Sequence, residues 1–512
     1  MPSSNKKSKK ILTTGYWLLV TGYWLLVAGY QLLATNTRQT LCHRSTQAQN
    51  NICCRGTILM LTLIMTSIFT LAALGIASLV ISQYRLAKQK TSWYAALNIA
   101  EAGLNYYRWH LAHAAEDYQD GTGEEGPYIH DYTDPRSGII GQFSLEITPP
   151  NKCSHTVTIK STGWTREFPN TKRVVQAKYG LASLASFAFI TNSDVWFGPE
   201  EVLHGPVHSN GGIRQDGYND SLMTSAKETY TCQTRHGCSP PQTKPGIWGT
   251  GGDSSLWQFP VSNIDFDMLT VDLANLKSMA QDSGIYLPQQ GLGYRVNFKS
   301  DGTVDVYQVT KLKKPVLYLG MDGKWHRRSW DIDRQDFQAN YPLPSECAII
   351  FVEDNVWVDG VVNGQVTLAA AKLPEVPSNR RNIIINGNLT YLEKNGQHTL
   401  GLIAQQDILV PLYAAPDNLE IDAVMLAQNG STYRPYYYYP WPYYIKDTII
   451  TYGTIITNQV WTWTWVGWGG ICISGYCNTN TIYDPHLNYN PPPGFPTVGD
   501  YKFLQWEEIT EK

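Results

Sequence analysis

No charged side chain occurs between Thr57 and Tyr84, while Arg55 precedes the run and Arg85, Lys88 and Lys90 follow it. About 20 apolar residues at a rise of ~1.5 Å each cross a ~30 Å hydrocarbon core, so this run is long enough to span a bilayer. Helical spacing then continues without a break. Trp93, Ala96, Leu97, Ala100, Leu104, Tyr107 and Leu111 recur at threes and fours, and the first breaker cluster is Gly121-Thr122-Gly123. One helix is predicted from Thr57 to about Ala115, its first half suited to lipid and its second half amphipathic against a globular body.

The pattern then changes to strands. The segments 139–148, 155–164 and 172–180 alternate apolar and polar residues and are separated by Pro149-Pro150 and Pro169-Asn170, which predicts a small antiparallel sheet over 139–182. It would cover the apolar stripe of the helix's second half. Beyond Ser183 come short apolar runs between Gly, Asn and Asp turns, such as Val195–Phe197, Ala348–Val352, Val356–Val358, Leu400–Ala404 and Ala423–Ala427. Repeated short strands at this spacing predict a β-solenoid, a parallel β-helix-like body in which each rung buries its inward side chains on the next. The fold class is therefore α+β, mainly β. First rungs are expected over 183–214, an insertion with a helix at Ile264–Gln281 over 215–345, and the main body with an aromatic-rich cap over 346–512. The prolines of Pro491–Pro496 are expected to close the last turn by stopping strand pairing.

Composition narrows the function. The 512 residues carry 40 Lys and Arg against 43 Asp and Glu, a net charge of -3, so no nucleic-acid partner is expected. Gly 42 and Pro 28 favour many turns over a helical bundle. Six of the cysteines follow the apolar run, and the close pairs Cys232/Cys238 and Cys472/Cys477 fit local disulfides in an oxidising compartment.

Candidate chemistry is sparse. His204 and His208 flank Gly205-Pro206, which prevents the helix that would put both on one metal, so they read as turn packing. Ser209 beside His208 has no positioned acid. The pairs Asp265/Asp267 and Asp331/Asp333/Asp336 fail the EF-hand template and read as turns and caps. No catalytic residue, metal site or cofactor is assigned, and the chain is not expected to be an enzyme. Tyr436, Tyr437, Trp441, Trp461, Trp463 and Trp465 concentrate aromatic surface, suited either to adhesion and sugar stacking or to capping the final rungs.

Two features sit at the N-terminal side. Residues 14–34 repeat with a period of seven, Thr14-Gly-Tyr-Trp-Leu-Leu-Val and then Thr21-Gly-Tyr-Trp-Leu-Leu-Val; residues 1–56 read as a leader, or as a low-complexity stretch upstream of the real start with the first Met misassigned. Arg55-Gly56, the uncharged stretch and Ala96-Leu-Asn-Ile-Ala-Glu-Ala-Gly103 together resemble the N-terminus of a PilX-type minor pilin over about residues 53–115. The resemblance implies a prepilin peptidase cut between Gly56 and Thr57. It also implies a precursor anchored in the inner or cytoplasmic membrane that later joins other pilin subunits in a type IV pilus or pseudopilus at the cell surface. Thr57 and Leu61 stand where major pilins carry Phe and Glu, which shifts the resemblance toward a minor or tip subunit working in assembly or adhesion. Ala100, Glu101, Ala102 and Gly103 form a small-residue motif that lets another helix approach closely, with Glu101 facing water. A surface or carbohydrate ligand is the remaining partner class. Two alternatives stay open: a membrane-anchored β-helix carbohydrate-active enzyme, and a bactofilin-like scaffold.

Overall fold

The computed structural model describes residues 55–509 except 115, 151–152, 154–155, 200, 267–268, 345–346 and 468–470. The repeat at 14–34 and most of the leader lie outside the described residues. The chain forms two units, 1–86 and 87–512. Helix α1, Arg55–His113, is one element of 59 residues, within a turn of the predicted span at each end. In the first unit its apolar side chains from Leu59 onward are exposed, including Leu61, Phe69, Leu74 and Leu79. In the second unit its residues Ala96, Ile99, Ala100, Leu104, Tyr107 and Leu111 are buried.

Those residues pack on a five-stranded antiparallel sheet. Strands β1 (Tyr128–Asp134), β2 (Gly138–Thr148), β3 (Thr156–Thr165) and β4 (Lys172–Ser183) form a meander in sequence order. The alternation read in the sequence appears in β3 as strict alternation of buried and half-buried positions. The fifth strand is the C-terminal one, Thr497–Ile509, which pairs antiparallel with β4. The prolines before it therefore end one element without closing the body, and the tail returns to the small sheet. The chain between β4 and this strand is inserted into the sheet, and its two ends meet where the Leu184 N–H donates to the Pro496 carbonyl at 3.0 Å.

The inserted body consists mainly of parallel ladders. One of them links Ile285–Leu287, Ala348–Val352, Gln365–Ala370, Thr399–Ala404, Asn418–Ala427, Ile445–Thr457, Phe189–Thr191, Val207–Ser209, Met223–Ser225 and Trp257–Gln258, each parallel to the next. Register stacks Ile350, Leu368, Leu402, Met425, Ile455, Phe189, Val207 and Met223 in one column of the main core. The alternate residues face the other way and are also covered. Phe351, Ala369, Ile403, Leu426, Ile456 and Ile190 form a second core with Leu273 and Leu276 of helix α2 (Leu269–Ser283) and with Leu487 and Phe495. Strands buried on both faces read as unbroken apolar runs, as Ala348–Val352 does.

The chain enters this ladder at its middle. From Phe189 it runs outward to Trp257–Gln258, and after α2 it resumes at the opposite end, at Ile285, and works back until Ile455 pairs with Phe189. At the far end the strand Tyr294–Phe298 is joined by the antiparallel strands Thr303–Leu312 and Ile332–Pro342. The region expected as a separate insertion thus supplies both ends of the ladder. Its helix, α2, starts later than the predicted Ile264 because Asn210 engages Ile264 instead, accepting its N–H at 2.8 Å and donating Nδ2 to its carbonyl at 2.7 Å.

Candidate functional sites: the helix seam and the aromatic corner

The predicted processing residues Gly56 and Thr57 fall in the first turn of α1. The motif Ala100–Gly103 lies farther along the same helix, against β3. A Cβ on Gly163 of β3 would sit 2.3 Å from the Ala96 carbonyl oxygen and 2.4 Å from the Ala100 nitrogen, so only glycine lets helix backbone and strand approach this closely. A Cβ on Gly103 would meet side chains instead, the Ser161 hydroxyl at 2.3 Å and the Phe143 ring at 2.8 Å. The small residues therefore admit a strand, whereas the sequence reading had another helix in view; Glu101 is half-buried.

Polar clamps flank the seam. Arg173, buried on β4, donates Nε to Glu508 of the C-terminal strand and lies over the Trp93 ring with its Cζ at 3.5 Å from the centroid. That hydrogen bond holds the Glu508 carboxyl below its ordinary range. The Tyr107 hydroxyl donates to the Asp117 carbonyl at 3.0 Å and is pushed upward by burial.

The six aromatic candidates separate on folding. Tyr437 and Trp463 are each 1 % exposed and Trp461 is buried, so these three cannot present a binding face. Trp461 and Trp463 fill the core where the returning ladder meets the entering strand, with Trp461 edge-on to Phe189 at 5.5 Å. Tyr437 packs with Tyr318, Trp330, Trp357 and Tyr433. Large rings there replace the aliphatic column at an irregular junction, which is the capping alternative rather than the adhesive one. Tyr436 and Trp465 are half-buried and in contact at 5.6 Å, and Trp441 is 76 % exposed.

Reasoning on the sequence missed what surrounds Trp441. The hairpin Val316–Leu319/Trp325–Arg328 docks on this loop: the Leu319 N–H donates to the Tyr436 carbonyl at 3.0 Å and the Tyr436 N–H to the Leu319 carbonyl at 3.2 Å. Trp325 meets Tyr436 at 6.0 Å and Tyr438 at 5.7 Å. Below them Arg434 is fully buried, donating to the carbonyls of Tyr443 at 2.8 Å and Leu412 at 3.4 Å. Its guanidinium carbon is 5.8 Å from the Tyr437 ring centroid and 5.3 Å from that of Tyr476, and burial pulls its pKa down. The signal for this arrangement was a Trp amid a basic run far upstream in the chain.

The histidines and aspartates serve the fold. His204 pairs with Asp220 at 2.7 Å, and buried His208 contacts Thr224 at 2.9 Å and Asn210 at 3.0 Å, with burial lowering its pKa. Asp331 accepts the backbone N–H groups of Tyr413 and Ala414, and Asp333 pairs with Lys311 at 2.6 Å. Asp267 lies outside the described residues. Among the described residues no group of three or more His, Cys, Asp or Glu is placed to hold a metal ion. Disulfides join Cys232 to Cys238 and Cys472 to Cys477, and a third joins Cys153, in the loop after β2, to Cys347 at the start of a ladder strand.

Together these observations define a protein with one long apolar helix continuing onto an antiparallel sheet, and a mostly β body. No protein-family model matches the sequence, and no curated protein does. Among solved structures it is similar to the competence-associated pilin ComZ from Thermus thermophilus, at 14% identity and a TM-score of 0.28, over 82% of this chain and 98% of that one; so loose a superposition defines no common fold.

Proposed function

We propose that this chain is a type IV pilin-like subunit of the PilX type, held in the membrane as a precursor by the uncharged part of α1 and later packed by the same segment into a pilus or pseudopilus. The observation that carries the reading is the division of one helix. Its uncharged stretch exposes every large apolar side chain from Leu59 to Leu86, whereas its continuation is buried on a sheet. A helix satisfies its own backbone hydrogen bonds, so such a stretch can pass from lipid into a bundle of sibling helices without stranding polar groups.

In this reading a prepilin peptidase cuts between Gly56 and Thr57. The inserted body, with its stacked parallel strands, is a β-solenoid carried outside the cell on the small sheet, where its aromatic corner serves adhesion at the tip or flank of a filament. Mass spectrometry of the mature N-terminus in sheared surface filaments tests the reading. A chain beginning at Thr57 supports it; an uncut chain confined to membranes overturns it.

A further inference from the structure

Resting on the adhesive part of that reading, we propose that the face built from Trp325, Arg327, Tyr436, Tyr438, Tyr439 and Trp441 binds an acidic polysaccharide. Trp325 and Arg327 alternate with His326 on one hairpin strand, so both point to the side opposite the His326 ring, which stacks on buried Tyr318 at 5.4 Å. Trp325 is 50 % exposed, and its contacts with Tyr436 and Tyr438 join the hairpin to the loop that carries Tyr439 and Trp441. Flat, exposed rings of this kind stack on the apolar face of a pyranose, and tyrosine hydroxyls hydrogen-bond to its substituents.

Charge selects the class of sugar. Between Lys311 and Arg334 the chain carries seven Lys and Arg against three Asp. One of those aspartates, Asp331, is buried against backbone N–H groups, and another, Asp333, is paired with Lys311. Lys324 and Arg327, beside Trp325 on the hairpin, remain exposed, as does Lys314 at the hairpin's open end. This local excess stands out on a chain of net charge -3 and complements a polymer with one carboxylate per sugar. Asp322, at the hairpin turn, is engaged by its own hairpin, where its carboxylate meets the His326 Nε2 at 3.0 Å and accepts the Lys324 N–H at 3.1 Å.

The face is also pre-organised. Arg434 ties the loop to the carbonyls of Tyr443 and Leu412, the Trp465 indole donates to the Arg434 carbonyl at 2.8 Å, and the Tyr437 N–H donates to Ser474 at 3.1 Å. Little conformational freedom is then lost when a ligand binds.

The full chain in detergent is assayed by biolayer interferometry on immobilised polygalacturonate, on its methyl-esterified form and on a single-stranded oligonucleotide. The proposal expects binding to polygalacturonate that weakens at least about tenfold on esterification, in Trp325→Ala and in Arg327→Ala, and survives in Trp325→Phe, with unchanged melting temperatures; tenfold corresponds to about 1.4 kcal/mol. Absence of polygalacturonate binding, equal binding by a folded Arg327→Ala variant, equal affinity for the ester, or tighter binding to the oligonucleotide overturns it. Because processing at Gly56 is read separately on filaments, failure here alongside a Thr57 N-terminus removes the ligand class and leaves the pilin reading standing.

Discussion

The small sheet and the inserted body solve the same burial problem in different ways. In β3 every second residue is buried under α1 and its neighbours stay half-exposed, so the sheet depends on one covered face. In the ladder, Thr399–Ala404 is buried at all six positions, its inward residues in the column of Leu402 and its outward ones under α2 and the segment around Phe495. One-sided burial leaves half of a strand free to vary, whereas two-sided burial makes every residue structural. The ladder's function must therefore lie in its corners and loops, where the aromatic face is found.

The link between the two regions gives the largest expected effect. Cys153–Cys347 closes a separation of 194 residues and Cys232–Cys238 one of 6. On loop-closure entropy, the double Ser variant of the first pair loses about 5 kcal/mol of stability and that of the second about 2 kcal/mol. Denaturant unfolding of the two variants measures the gap, and equal losses would contradict this account of the link.

Next come single side chains within each region. Leu402→Ala and Ile403→Ala, adjacent and facing opposite ways, should each cost about 3 kcal/mol. In β3, Ile159→Ala should cost a similar amount while its neighbour Lys160→Ala stays within about 0.5 kcal/mol. Thermal melts that show alternation in both strands, or in neither, would break the comparison. A smaller loss of about 2 kcal/mol is expected for Gly163→Ala, because the new methyl meets helix backbone that cannot rotate aside.

The smallest effect is electrostatic. Burial raises Glu201 of the body to about 7 from 4.5, although Thr479 donates to it at 2.9 Å. A raised carboxyl stabilises the fold fully below its unfolded pKa, and that contribution is lost as pH rises from about 4.5 through about 7. Glu508 of the sheet is depressed, so its contribution is lost as pH falls. Glu201→Gln should flatten the body's loss of stability between those pH values by about 1 kcal/mol, allowing for partial exposure. Glu508→Gln should flatten a slope of opposite sign at lower pH. Melting curves across pH report both.

Local patterns in the chain made α1 and the meander legible, since an uncharged run, a threes-and-fours period and strict alternation depend only on near neighbours. Short parallel strands were legible for the same reason. Contacts between distant segments were not. That Ile455 pairs with Phe189, that Thr497–Ile509 returns to β4, and that the Leu319 backbone docks on Tyr436 follow from how the insertion closes on itself. The aromatic residues show the limit most clearly. Nothing in the local sequence separates Trp461, Trp463 and Tyr437 from Trp441, yet the seam of the ladder takes the first two into its core and the cluster around Trp330 and Trp357 takes Tyr437.

The central claim, that the uncharged part of α1 serves first lipid and then a filament of like helices, is tested most directly by a photo-crosslinking benzophenone amino acid placed at Leu71. The account predicts adducts with lipid in membranes holding the precursor, and adducts with the apolar helices of other pilin subunits in sheared filaments. Adducts only with this chain's own body, in both preparations, would contradict it.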